Sequence, residues 1–144
     1  MKERALCSAR HLNHVCIAVR NIEETLEFYD ELFGLEVSGS IEHIEDQSVK
    51  AALVRIGGSQ LEFIEPTDPS GPISKFIDDR GETVHHICFE VENLDQKLTR
   101  LEEIGYRMVD KQPRQGLSGQ IGFIHPKSTR GVLIELVDQK TARR

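Results

Sequence analysis

His14-Val15-Cys16-Ile17-Ala18-Val19-Arg20-Asn21-Ile22-Glu23 returns 72 positions later as His86-Ile87-Cys88-Phe89-Glu90-Val91-Glu92-Asn93-Leu94-Asp95, keeping His, Cys, Val and Asn and exchanging most other places conservatively. A second echo closes each copy, where Leu61-Glu62-Phe63-Ile64 returns 73 positions on as Ile134-Glu135-Leu136-Val137. Self-similarity at a fixed period means that one supersecondary unit occurs twice. A His near the start and a Glu near the end therefore hold equivalent places in both halves.

Each copy reads as strand, helix, then three strands. Residues 12–19 and 84–91 alternate and carry Val, Ile and Phe, as strands do. Asn21 with Glu24 makes a capping box ahead of Ile22, Leu26, Tyr29 and Phe33 at helical spacing, and Gly34 stops that helix. In the second copy Asn93 caps, Leu94, Leu98 and Leu101 form the apolar stripe, and Gly105 follows the end. Further strands are predicted near 35–44, 49–56 and 59–65, with Gly57-Gly58 as a hairpin turn, and near 106–109, 119–124 and 131–137. Pro66-Thr67-Asp68-Pro69-Ser70-Gly71-Pro72 concentrates turn formers and reads as the linker. The expected fold is α+β: one domain over 1–144 made of two βαβββ modules, about 11–65 and 83–138. They are expected to form a curved mixed sheet with helices on its outer face.

Alternation decides which side chains can meet. His14 shares a face with Leu12 and Cys16, while Val15, Ile17 and Val19 point to the helix; His86 likewise shares its face with Val84 and Cys88. Glu62 and Glu135 each sit between apolar neighbours that face the other way. A carboxylate on such a strand costs several kcal/mol unless it is paired or neutralised. Two imidazoles and two carboxylates converging on a concave face would form a divalent-metal site, with His14, Glu62, His86 and Glu135 as ligands. That donor set suits Zn, Co, Ni, Fe or Mn and leaves positions open for water or substrate. His11, His43, His85 and His125 lack repeat support and read as structural, and Cys16 and Cys88 read as small buried hydrophobes on the site face.

The chain has 144 residues, the size of one domain, and its 24 acidic against 18 basic residues give a net charge of -6. That balance disfavours nucleic acid, whose binding rests on Lys and Arg neutralising phosphates. Its longest apolar run, Val15 to Val19, is far short of the roughly 20 residues of a membrane span. With no signal-like opening and three cysteines expected to be free thiols, the sequence reads as cytoplasmic.

Leu12-Asn13-His14-Val15, Phe28-Tyr29 through Phe33-Gly34-Leu35, Gly71-Pro72-Ile73-Ser74-Lys75-Phe76, His85-His86-Ile87, Gly116-Leu117-Ser118-Gly119, and Phe123-Ile124-His125-Pro126-Lys127 leading to Gly131-Val132-Leu133-Ile134-Glu135-Leu136 carry a resemblance. The chain resembles the vicinal-oxygen-chelate (glyoxalase, bleomycin-resistance and dioxygenase) superfamily from about Leu12 to Asp138, and within it looks most like the methylmalonyl-CoA epimerases. The resemblance implies metal ligands at His14, Glu62, His86 and Glu135. It implies an isomerase that epimerises methylmalonyl-CoA, an acyl thioester, through a metal-stabilised enolate, and it implies a homodimer. Glu135 and Glu62 are the carboxylates expected to move the proton. Some epimerases have Gln at the place of Glu62, and Glu there brings the set nearer to bacterial glyoxalase I, a lactoylglutathione lyase, which is the alternative activity. Some also carry a catalytic Glu where this chain has Ala51, leaving Glu45, Asp46 or a bound water to serve one side. A metal-dependent oxygenase and a drug-sequestering module are more distant readings. An anionic CoA calls for a basic surface, for which Lys111, Arg114, Lys127 and Arg130 around the Gly116 to Gly119 loop are the candidates.

Overall fold

The computed structural model describes residues 5–141. The chain runs β1 (His11–Ala18), α1 (Ile22–Phe33), β2 (Glu42–Ile44), β3 (Val49–Ile56), β4 (Ser59–Pro66), α2 (Pro72–Arg80), β5 (Thr83–Glu90), α3 (Leu94–Glu103), β6 (Arg114–Gly116), β7 (Gly119–Ile124) and β8 (Ile134–Asp138). The βαβββ order is present twice, with α2 added between the copies. Contacts divide the chain into two compact units, one His14–His85, the other the segment ending at Asn13 together with that starting at His86. The division falls inside β1 and β5, so the unit with the second copy also takes the lead-in. There Arg10 N donates to Glu90 O at 2.8 Å, and His11 Nε2 lies 2.7 Å from Glu90 Oε2.

In the first unit the strands lie in the order β2, β3, β4, β1, with β1 and β4 parallel and the hairpin pairs antiparallel. The second unit repeats this as β6, β7, β8, β5, with β5 and β8 parallel. Parallel neighbours need a crossover, and in each copy a helix and two strands of chain intervene between the parallel partners. The α+β class and the mixed pairing agree with the sequence.

Local chemistry accounts for the helices. Asn21 Oδ1 accepts from Glu24 N at 3.0 Å, closing one end of α1, and Gly34 ends it with φ 69, a left-handed conformation that glycine adopts without penalty. Leu26 and Tyr29 of α1 pack with Val19, Ile22, Ala52, Val54 and Phe63. α3 lays Leu94, Leu98 and Leu101 against Val91, Ile124 and Leu136. Gly122 lets it approach, since a Cβ there would stand 2.7 Å from Leu98 Cδ1. No helix is long and apolar enough to cross a membrane among the described residues.

The helices and strands themselves depart from the sequence reading in four places. Asn93 does not cap α3 through its side chain; it sits at φ 53, a left-handed position that Asn tolerates better than most residues. The supposed linker is only partly a linker. Asp68 Oδ1 accepts from Ser70 N and Ser70 Oγ, both at 2.9 Å, which holds its carboxyl below the usual range, and α2 then begins at Pro72. Proline at a first helical turn loses no intrahelical hydrogen bond. Residues 35–44 yield only β2 and one bridge between Val37 and Val54, because Ser38-Gly39-Ser40 breaks the run with Gly39 at φ 83. Residues 106–109 give one bridge, Met108 to Ile124, and the hairpin partner of β7 is β6 instead.

The caps differ in kind, so their substitutions should differ in effect. Asn21→Ala is expected to cost about 1 kcal/mol, whereas Asn93→Gly should stay within about 0.5 kcal/mol of the parent or exceed it. Urea unfolding midpoints of the two variants check this.

Candidate metal centre

Register brings each predicted His to its predicted Glu. Parallel pairing sets Cys16 opposite Glu62 and His14 opposite Gln60, so Glu62 and His14 are diagonal neighbours on one face of the sheet. His14 Nε2 lies 3.5 Å from Glu62 Oε1, with side chains 8% and 12% exposed. The second unit repeats the device: Cys88 stands opposite Glu135, and His86 Nε2 lies 3.0 Å from Glu135 Oε1, both side chains 7% exposed.

Apolar side chains wall both pairs. On the His14 face, Cys16, Ala18, Val49, Ala51 and Ile64 pack with Ile73, Phe76 and Ile77 of α2. The helices are therefore not confined to one side, as the sequence implied: α1 covers the Ile17 and Phe63 face, while α2 covers the other. On the His86 face, Cys88, Ile121 and Val137 pack with Phe123.

The cross-strand residue beyond each Glu differs. It is Leu53 for Glu62 and Phe123 for Glu135. The Phe123 ring stands nearly perpendicular to that of His86, 88° at 5.1 Å between centroids. The sequence reading passed over Phe123, although its alternation with Ile121 along β7 puts it on the His86 face.

The carboxylates offered as substitutes at Ala51 do not reach this region. Glu45 and Asp46 form an exposed turn beyond Val49, which pairs with Pro66, roughly 13 Å along the strand from Glu62. Ala51 itself is buried beneath α2. Of the histidines read as structural, His11 pairs with Glu90, His43 is exposed on β2, and His85 packs edge-on against Phe76 with 4.8 Å between centroids. His125 Nδ1 accepts from Lys127 N at 3.1 Å, and desolvation first, then Arg107 and Lys127, push its pKa down. Among the basic candidates, Lys111 pairs with Glu102 at 3.6 Å and Arg114 with Asp110 at 3.0 Å. Lys127 lies in a turn after β7 and Arg130 follows at φ 59.

The donor chemistry of each pair fits a divalent cation. Neutral imidazole offers Nε2 and an ionised carboxylate offers its oxygens, the combination borderline and hard first-row ions take. A cation between them also offsets the cost of a carboxylate held away from water.

This architecture and these His and Glu pairs define a protein class. Residues 13–124 match the model of the Glyoxalase/Bleomycin resistance protein/Dioxygenase superfamily, and the chain belongs to that family. Protein YqjC of Bacillus subtilis is 37% identical over 130 residues, covering 90% of this chain and 92% of that one. The mitochondrial methylmalonyl-CoA epimerase of Dictyostelium discoideum is 33% identical over 130 residues, covering 89% and 78%. A methylmalonyl-CoA epimerase variant of Streptomyces coelicolor, solved with 2-nitronate-propionyl-CoA, superimposes with a TM-score of 0.85 at 33% identity, covering 95% of this chain and 100% of that one. Such epimerases are isomerases, and the enzyme class expected from the sequence stands.

Thiol chemistry gives a test of the walls around these pairs. Cys16 and Cys88 are 0% exposed, and burial pushes the partly exposed Cys7 thiol up. With a thiol reagent at pH 8, the native protein is expected to release signal from Cys7 alone, more slowly than free cysteine, and all three thiols should react in denaturant.

Proposed function

We propose that this chain is a metal-dependent epimerase of methylmalonyl-CoA, acting as one domain in which His14, Glu62, His86 and Glu135 hold one divalent ion. The observation that carries the reading is the repeated pair of buried imidazole and carboxylate, in a chain similar along nearly its whole length to an epimerase solved with a CoA ligand. The same reading includes a homodimer working in the cytoplasm.

When bound, a divalent ion at these residues would supply Lewis-acid stabilisation of negative charge developing on the thioester oxygen. The remaining work falls to the chain. Glu135 accepts the proton from the carbon alpha to the thioester at a carboxylate oxygen, and the C–H electron pair stays on the substrate as an enolate. Glu62, the symmetry mate, takes up a proton from solvent at its free carboxylate oxygen and delivers it to the opposite side of that carbon, inverting it. Glu135 then returns its proton to solvent, so that both groups end as the carboxylates they began as. Proton transfer by a placed side chain is commonly worth about 10²–10⁴-fold in rate. Apolar walls around both acids keep water from competing for the carbanion.

Purified protein supplied with cobalt or manganese is expected to bind about one ion per chain and to wash deuterium into the alpha carbon of methylmalonyl-CoA. Glu135→Gln should lower that rate by about 10²–10⁴-fold. His86→Ala should lose the ion while keeping the native circular dichroism spectrum. Turnover of the glutathione hemithioacetal of methylglyoxal without deuterium wash-in would transfer the assignment to the glyoxalase I reaction. A His86→Ala variant that stays fully loaded would refute the ligand set.

A further inference from the structure

Phe123 does more than wall the second pair: it carries a cation. Arg114 Cζ stands 5.4 Å from the centroid of the Phe123 ring, on which the His86 ring also packs. Strand register explains the meeting. Arg114 pairs with Ile121, so its side chain shares a sheet face with Ile121 and Phe123, the face of Cys88, Val137 and Glu135.

Asp110 fixes the guanidinium in that seat. Its Oδ1 accepts from Arg114 Nε at 3.0 Å and its Oδ2 accepts from Phe123 N at 2.9 Å, so one carboxylate ties the cation and the strand beneath it together. Asp110 is 16% exposed while Arg114 keeps 43%. Nε alone is engaged; both Nη groups of Arg114 make no hydrogen bond among the described residues. An arginine held by Nε and stacked on an aromatic ring presents its outer edge as a rigid two-pronged donor, the geometry that matches a carboxylate or phosphate. Of the four basic residues picked out around the Gly116 to Gly119 loop, Arg114 is the one whose described contacts lead to His86.

We infer that Arg114, seated by Asp110 on Phe123, is the residue that receives an anionic oxygen group of the substrate, a carboxylate or a phosphate, beside the His86 and Glu135 pair. The inference rests on the epimerase reading for its ligand, and it assigns a specificity role to a residue outside the four metal ligands. In an acidic chain of net charge -6, a fixed local cation also offsets the repulsion an anionic thioester meets on approach.

Calorimetric titration of the purified protein with coenzyme A and, separately, with methylmalonate tests this without turnover. Arg114→Gln is expected to weaken one probe about tenfold. Loss on coenzyme A alone identifies phosphate as the group received, and loss on methylmalonate alone identifies carboxylate. Asp110→Asn, which keeps the guanidinium but loosens its seat, should weaken the same probe by a smaller factor, and it decides the matter if Arg114→Gln does not fold. Affinities for both probes within twofold of the parent in these variants would overturn the inference while leaving the epimerase reading intact. Parent protein that takes up neither probe would overturn both.

Discussion

A carboxylate held away from water beside an imidazole is the constraint around which each half of this protein is arranged. Glu62 and Glu135 sit on strands whose adjacent residues turn to an apolar core, so neither acid has water as a ready partner. Parallel pairing answers this in the same way twice. It places the His two residues before the Cys that faces the Glu, on the same side of the sheet, at the diagonal spacing that two long side chains can bridge. The order βαβββ follows from that requirement, because a parallel neighbour is reached only by a crossover and the crossover is α1 or α3.

The two copies keep this device and vary its surroundings. In the first unit α2 closes over the His14 face with Ile73, Phe76 and Ile77, and Leu53 stands opposite Glu62. In the second, Phe123 takes the place of Leu53 and brings Arg114 and Asp110 with it. A duplicated scaffold with one aliphatic and one aromatic wall gives two similar acids unequal environments.

Much of this was legible in the sequence, and for identifiable reasons. Repetition marks His14 with His86 and Glu62 with Glu135 as equivalent positions and strand alternation fixes their face, while the pairing of each His with one Glu follows from the parallel register. The cap at Asn21 and the stop at Gly34 were readable because both act within a few residues of chain. Asn93 misled because an Asn before a helix can serve by its side chain or by its tolerance of a left-handed backbone, and sequence does not separate the two. The helix α2 was hidden by Asp68, Pro69, Gly71 and Pro72, which announce a turn; the turn exists, and a helix of nine residues follows it at once.

By itself, then, the sequence determined the duplication, the alternating faces and the identity of the paired acids and imidazoles, because each is a property of spacing along one chain. Tertiary structure alone decided that α2 covers the His14 face, that Glu45 and Asp46 stay at a hairpin end, and that Arg114 lies across Phe123. Those outcomes depend on which strand pairs with which and in what register, and such pairings join residues whose separation in sequence carries no periodic signal.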